Sequence, residues 1–211
     1  MRVVLIDYES GNLHSASKAL AVAGREVGAE ISVSANPDTV ARSDRIVLPG
    51  DGAFPACRAA FDAQSGLEEA LRDAVLHQGK PFLGICVGMQ MLAYTGFEYR
   101  ATPGLGWIGG EVQAIEPGDA SLKVPHMGWN DLRLHQPHPV LDGIANGDHA
   151  YFVHSWQYQV SDRSHLLADV DYGGPVTAVI GRDNIIGMQF HPEKSQAVGL
   201  RLLSNFLRWS P

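Results

Sequence analysis

The chain has 211 residues, of which 45% are hydrophobic and 18% charged, and its formal net charge is −7 at pH 7. This composition is typical of an ordinary soluble globular protein, and the absence of any block of like charges makes nucleic acid and anionic membranes poor candidates as partners. Two cysteines are too few for a disulfide framework, and no apolar run is long enough for a signal peptide or a membrane span. We therefore expect a cytoplasmic protein with free thiols.

Short apolar runs alternate with amphipathic stretches up to about residue 94. Predicted strands cover residues 3–6, 31–33, 45–48 and 82–85, and predicted helices cover residues 15–23, 55–62, 67–77 and 87–94. Short β-branched runs are typical of strands that are buried on both faces, and their alternation with helices predicts βαβ units and a parallel sheet.

Beyond about residue 104, only turns separate most of the strand-like segments. These cover residues 107–115, 129–134, 150–160, 176–181 and 185–190, and a last helix covers residues 195–209. Strands joined by turns predict an antiparallel extension of the sheet. Since no repeat, low-complexity tract or linker interrupts the chain, we predict one α/β domain over residues 1–211, with a mostly parallel central sheet flanked by helices.

Cys86 is the first candidate for chemistry. It stands between Gly84 and Gly88, directly after a predicted strand and directly before a predicted helix. Glycines on both sides leave room for a nucleophile on a strained strand-to-helix turn, and the amides at a helix N-terminus favour the thiolate. Cys57 lacks this context and is expected to be a buried, inert thiol.

His191 is the strongest of nine histidines as a candidate base, because Glu193 follows it at a spacing of two residues. Pro192 favours extended backbone at His191, and side chains two residues apart in extended chain point to the same side. The carboxylate can then orient the imidazole and stabilise its protonated form. His126 and His154, in aromatic-rich segments, are second candidates. No group of residues has the pattern of a metal site.

Stabilising an oxyanion requires amide donors near the nucleophile. The N–H of Val87 is one by the geometry of the elbow, and the turn Pro49-Gly50-Asp51-Gly52 can aim a second, from Gly50 or Asp51. An ordinary glycine turn explains the same residues equally well, and the sequence leaves both interpretations open.

These motifs in this order resemble the class I (triad) glutamine amidotransferases, and the match spans nearly the whole chain. The motifs are Pro49-Gly50-x-Gly52, Gly84-x-Cys86-x-Gly88-x-Gln90 and His191-Pro192-Glu193. Within the family, the blocks at residues 7–13, 49–54, 125–130, 151–155 and 191–195 are most similar to the glutaminase subunits of imidazole glycerol phosphate synthases. The resemblance implies a flavodoxin-like sheet.

The resemblance also implies a reaction without a cofactor. Cys86 would attack the side-chain amide of L-glutamine, and His191 would protonate the departing ammonia and then activate the water that hydrolyses the γ-glutamyl thioester. Glu193 would orient the imidazole. The residues implied in substrate binding are Gln90, Gly52, Ser155 and Trp156.

The partner implied by the resemblance is a (β/α)₈ cyclase subunit. The two chains would form a heterodimeric lyase complex of histidine biosynthesis, and the ammonia would pass directly to the cyclase. The residues that resemble docking or coupling positions are Asn12, Trp129, Asn130 and Lys194. For Trp129 and Met127, packing in the core is the alternative.

Two positions depart from the family pattern. Asp51 replaces a small apolar residue, and because a carboxylate would oppose an oxyanion, we predict that its side chain points away and only its backbone serves the site. Trp156 replaces a tyrosine. Three other functions stay open: the glutaminase of another triad amidotransferase, a stand-alone γ-glutamyl cysteine hydrolase, and an inactive binding protein with the same fold.

Overall fold

The computed structural model describes all residues 1–211. The strands are β1 (Arg2–Leu5), β2 (Glu30–Val33), β3 (Arg45–Leu48), β4 (Phe82–Ile85), β5 (Thr95–Gly96), β6 (Thr102–Pro103), β7 (Gly110–Ala114), β8 (His126–Asp131), β9 (Arg133–Leu134), β10 (His149–His154), β11 (Trp156–Val160), β12 (Leu166–Asp171), β13 (Pro175–Arg182) and β14 (Ile185–Met188). The α-helices are α1 (Leu13–Ala23), α2 (Pro37–Arg42), α3 (Phe54–Asp62), α4 (Leu67–Arg72), α5 (Val87–Gln90) and α6 (Gln196–Arg208).

The main sheet has eight strands in the order β2-β1-β3-β4-β14-β13-β12-β9. The pairs from β2 to β14 are parallel, and the pairs from β14 to β9 are antiparallel. The predicted parallel sheet with an antiparallel extension is therefore confirmed. The extension does not include every later strand, because β8 pairs only with β10, and β11, β7, β5 and β6 form a separate four-stranded sheet.

The core consists of one cluster of 55 buried apolar residues on and around the main sheet. The inner strands β1, β3, β4 and β14 are almost wholly buried, as their uninterrupted apolar runs predict. Helix α6 buries Leu202, Leu203, Phe206 and Leu207, which lie on one helical face. Each such side chain stabilises the fold by about 1.5–3 kcal/mol relative to full exposure. No helix is long and apolar enough to span a bilayer.

The helix after Cys86 ends earlier than predicted. Instead of running over residues 87–94, α5 stops at Gln90. The carbonyls of Met91, Leu92 and Ala93 accept hydrogen bonds from the loop at residues 105–108, at 2.7–3.1 Å. In a longer helix these three carbonyls would accept hydrogen bonds from the next helical turn. Because the loop at residues 105–108 occupies them instead, the helix stops after one turn.

Candidate active site

Cys86 lies on a strained turn between β4 and α5. Its backbone angles are φ 55° and ψ −114°, in a region that non-glycine residues rarely adopt. A Cβ at Gly84 would lie 2.6 Å from the Gly88 carbonyl oxygen, and one at Gly88 would lie 2.0 Å from the Leu48 carbonyl oxygen. The two glycines therefore permit the close backbone packing that holds the nucleophile at this corner.

The parallel pairing of β4 with β14 brings His191 and Glu193 to the same end of the sheet as Cys86. The Cys86 amide donates to the Met188 carbonyl at 2.8 Å, directly before the segment that carries the histidine. His191 is extended, and its Nδ1 lies 2.8 Å from Glu193 Oε1. Both side chains are buried, and Glu193 Oε2 has no partner, which leaves His191 as the only hydrogen-bond partner of this carboxylate.

Burial by itself lowers the pKa of His191. Hydrogen bonds to Cys86 and Glu193, and the negative charges of both groups, outweigh burial and raise this pKa to about 10. The imidazole therefore keeps its proton at neutral pH. A protonated imidazole beside the Cys86 sulfur can deliver its proton to a leaving group, so the arrangement suits nucleophilic attack by Cys86 and proton delivery by His191.

A cavity of about 260 Å³ opens over Cys86. Its lining includes all four residues predicted to bind substrate, Gln90, Gly52, Ser155 and Trp156. It also includes Glu98, which the sequence analysis missed and whose Oε2 accepts from the Phe54 amide at 2.7 Å. Larger surface cavities of about 810 and 450 Å³ lie elsewhere and contain no cysteine.

The predicted oxyanion donors differ in availability. The N–H groups of Val87 and Gly50 have no hydrogen-bond partner, and a Cβ at Gly50 would lie 2.6 Å from the Gly88 amide nitrogen, so this turn packs directly on the elbow. The Asp51 N–H instead donates to Ser10 Oγ at 3.3 Å. The Asp51 amide thus already has a partner in this structure, and its role as an oxyanion donor stays a prediction.

Two side chains hold the peptide units around Asp51. Ser10 Oγ donates to the Asp51 carbonyl at 2.8 Å, and Cys57 Sγ donates to the same carbonyl at 3.3 Å. The Asp51 residue is exposed and lines the cavity, and its carboxylate has no hydrogen bond or ion pair. That its side chain points away from the reacting atoms stays a prediction.

The four predicted coupling residues lie in different surroundings. Asn12 and Lys194 are exposed, and the Asn12 side chain caps α1 by accepting from the Ser15 amide. Trp129 is 48% exposed and packs edge-on against Tyr151, with ring centroids 5.8 Å apart. The alternative of core packing is wrong for Trp129, and also for Met127, which is 61% exposed.

Asn130 belongs to a chain of hydrogen bonds that runs inward. Its Nδ2 donates to the Asp171 carbonyl and lies 3.2 Å from His126 Nε2. His126 Nδ1 lies 3.0 Å from His154 Nε2, and His154 Nδ1 lies 2.8 Å from the Trp156 carbonyl, which can only accept. Both histidines are therefore neutral, and each donates through Nδ1.

Burial lowers the pKa of both imidazoles in this pair. The pKa of His126 falls to about 4. The pKa of His154 falls to about 3, because burial and the nearby His126 and His191 outweigh the hydrogen bond to the Trp156 carbonyl. The two histidines that the sequence analysis ranked second thus hold a wall of the cavity and do not serve as a base at neutral pH.

Gln189 is the other residue near the nucleophile that the sequence analysis missed. It is fully buried, and its Nε2 lies 3.7 Å from Cys86 Sγ. The spacing rule that pairs His191 with Glu193 also places Gln189 on the side of His191, two residues before it. That signal was present in the sequence.

The chain matches one protein family over nearly its whole length. The family model described as glutamine amidotransferase class-I matches residues 4–209. Proteins named imidazole glycerol phosphate synthase subunit HisH from Ruegeria pomeroyi and Cereibacter sphaeroides are 61% and 60% identical, over the full length of both chains.

Solved structures support the fold. One described as a glutamine amidotransferase has a TM-score of 0.72 at 18% identity, and the match covers 97% of each chain. Another, from Thermotoga maritima and also described as a glutamine amidotransferase, has a TM-score of 0.63 at 17% identity, covering 92% of this chain and 76% of its own. Because the family model covers nearly all of the sequence, the chain belongs to the class-I glutamine amidotransferases.

Proposed function

We propose that this chain is the glutaminase subunit of an imidazole glycerol phosphate synthase. It hydrolyses L-glutamine to glutamate and ammonia and passes the ammonia to a cyclase subunit for histidine biosynthesis. The names of the full-length relatives support the assignment. The observation that carries the chemistry is the elbow cysteine beside the buried His191–Glu193 pair.

The reaction begins when the Cys86 thiolate attacks the side-chain carbonyl carbon of glutamine. The carbonyl electron pair moves to oxygen, where the free N–H groups of Val87 and Gly50 can receive the charge. His191 gives its proton to the amide nitrogen, the C–N bond breaks, and ammonia leaves a γ-glutamyl thioester. Neutral His191 then takes a proton from water, and the resulting hydroxide attacks the thioester carbonyl. The C–S bond breaks, which releases glutamate and restores the thiolate.

The cavity suits one small amino acid with a polar side chain. Its acidic lining residues are Asp51 and Glu98, and Glu98 is buried. A buried carboxylate favours the α-ammonium group of an amino acid as its partner. Gln90 donates to the Trp156 carbonyl and to Gln189 Oε1, so its own Oε1 remains free to accept from the substrate.

A docking surface for the partner is expected around β8. Val124, Met127 and Trp129 are exposed at 46%, 61% and 48%. A patch of large apolar side chains with a tryptophan is typical of a protein interface. The relatives are named as subunits, which supports a partner, and we propose the (β/α)₈ cyclase as that partner in a heterodimer. The free cysteines Cys57 and Cys86 support a reducing location such as the cytoplasm.

The test is glutamate release by the purified chain, alone and then with the cyclase and its ligand. We expect slow release alone, a large increase with the partner, loss of activity in Cys86→Ala, and retained activity in the matched control Cys57→Ser. Equal activity with and without the partner would favour a stand-alone hydrolase. Activity that survives in Cys86→Ala would exclude the thioester mechanism.

A further inference from the structure

Gln189 lies at the end of β14, between the nucleophile and a substrate-binding side chain. It is fully buried, its Oε1 lies 3.0 Å from Gln90 Nε2, and its Nε2 lies 3.7 Å from Cys86 Sγ. A buried carboxamide needs partners for both ends. Here one end contacts the reacting sulfur.

The orientation of this amide follows from a group that can only accept. The Trp156 carbonyl lies 3.1 Å from Gln90 Nε2, so the nitrogen of Gln90 must be the atom that faces it. The same nitrogen also contacts Gln189, and its remaining hydrogen requires an acceptor there. The oxygen of Gln189 therefore faces Gln90, and its NH₂ group faces Cys86.

The Trp156 carbonyl is itself held in place. It also accepts from His154 Nδ1 at 2.8 Å, and His154 is held in this tautomer by the hydrogen bond with His126. Every bond from Asn130 to this carbonyl has one possible direction. The network holds the Trp156 carbonyl in place, and this carbonyl sets which atom of Gln189 points at the sulfur.

We propose that Gln189 is a further catalytic residue that donates an N–H to the sulfur of Cys86 and stabilises its thiolate. The inference rests on the proposed role of Cys86 as nucleophile. His191 gives its proton to the amide nitrogen of the substrate and regains one only when it activates water, so its charge beside the sulfur changes during the reaction. The neutral amide of Gln189 keeps its donor throughout, and it stabilises the thiolate as it leaves the thioester.

The variant Gln189→Glu separates this role from a merely structural one. A carboxylate still accepts from Gln90 and preserves the shape, but it presents oxygen to the sulfur. Gln189→Met has a similar length and removes both hydrogen bonds without adding a charge. Gln157→Glu, on β11, is the matched control because it adds the same charge at a partly exposed position outside the lining of the cavity.

The readout is the rate at which uncharged iodoacetamide alkylates Cys86, measured against pH by mass spectrometry of the peptide that contains Cys86. In both Gln189 variants we expect the midpoint of this curve to move up by about one pH unit, a tenfold change in the thiolate equilibrium, or about 1.4 kcal/mol. The partner-stimulated kcat should fall about tenfold or more, while Gln157→Glu should match the original protein.

An unchanged alkylation midpoint in either folded Gln189 variant would overturn the proposal, and near-ultraviolet circular dichroism establishes which variants are folded. If Gln189→Glu keeps both the midpoint and kcat, Gln189 only positions Gln90. Alkylation needs neither glutamine nor the partner, so its result is independent of the proposed function. Failure of the proposed function would instead appear as glutaminase activity in Cys86→Ala.

Discussion

The buried pair His126–His154 predicts that the protein loses stability in mild acid. Both imidazoles are neutral in the folded protein, with pKa values of about 4 and about 3, whereas an unfolded histidine has a pKa near 6.5. Between these values the unfolded chain binds more protons than the folded one. Stability is therefore fully present above pH 6.5 and falls as the pH drops toward the folded pKa values.

The size of the effect follows from the two pKa values. Between pH 7 and pH 5, each imidazole lowers the free energy of unfolding by about 2 kcal/mol, because the unfolded histidine gains a proton that the folded one does not. The pair therefore costs about 4 kcal/mol, a large share of the roughly 5–15 kcal/mol by which domains are stable. His191 acts in the opposite direction, since its raised pKa makes the folded state hold its proton at pH 7 as well as at pH 5.

Urea unfolding at pH 7 and pH 5 measures this loss. The double variant His126→Gln and His154→Gln removes both groups and leaves His191 unchanged, so it isolates the contribution of the pair. We expect the original protein to lose about 4 kcal/mol more than the double variant between the two pH values. An equal loss in the two proteins would refute the assignment of a neutral, buried pair.

Three further predictions concern the site. Ser10→Ala removes the acceptor that holds the Asp51 N–H, so this amide can turn toward the oxyanion; for a hydrogen bond of about 1 kcal/mol we expect partner-free glutamate release to rise about fivefold. Gly88→Ala should leave little folded protein, as measured by the loss of the thermal unfolding transition, because the new Cβ would lie 2.0 Å from the Leu48 carbonyl oxygen. Glu98→Gln should raise KM for glutamine about tenfold with a smaller effect on kcat, because it removes the charge that we propose binds the α-ammonium.

Each of these has a control and a contradicting outcome. Ser10→Thr keeps the hydroxyl and should release glutamate as slowly as the original protein without the partner. If glutamate release rises equally in Ser10→Thr and Ser10→Ala, the hydrogen bond to this hydroxyl does not restrain the Asp51 amide. Gly28→Ala is the control for Gly88→Ala, because a Cβ at Gly28 would meet no atom within 4 Å. It should lower the free energy of unfolding by only about 1–2 kcal/mol, since the backbone at this position is left-handed. A Gly88→Ala protein as stable as Gly28→Ala would contradict the close packing of the elbow. An unchanged KM in Glu98→Gln would remove Glu98 from substrate binding.

Local signals in the sequence were enough for the parallel strands, the elbow and α6. The predicted ranges of the inner strands agree with β1, β3 and β4 to within one residue at each end. Their patterns need only neighbours along the chain: short apolar runs, glycines around Cys86, and apolar positions spaced by three and four in the last helix. The assignment of residues 1–211 to one domain stays a prediction.

Other elements depend on contacts between distant residues. Strand β12 was missed because Asp169 interrupts its apolar pattern, yet this buried carboxylate contacts Arg133 at 2.8 Å and His135 at 2.9 Å. The short α2 was not predicted either, although Asn36 caps it and Pro37 opens it, which are ordinary signals for a helix start.

The site shows the same division. Spacing along the chain was sufficient to pair His191 with Glu193, and it would have been sufficient for Gln189. The bond between Ser10 and Asp51 joins residues 41 positions apart, and no local pattern predicts it. Glu98 likewise reaches the cavity from the turn after β5, which the sequence analysis did not predict.

The most direct test of the account is to find the covalent intermediate. The complex with the cyclase is mixed with glutamine, quenched in acid within the first turnovers, digested and analysed by mass spectrometry. We predict one γ-glutamyl group on the peptide that contains Cys86, more of it in Glu193→Gln, where water is activated poorly, and none in Cys86→Ala. Rapid glutamate release with no adduct on Cys86, or with an adduct on another residue, would contradict the central claim.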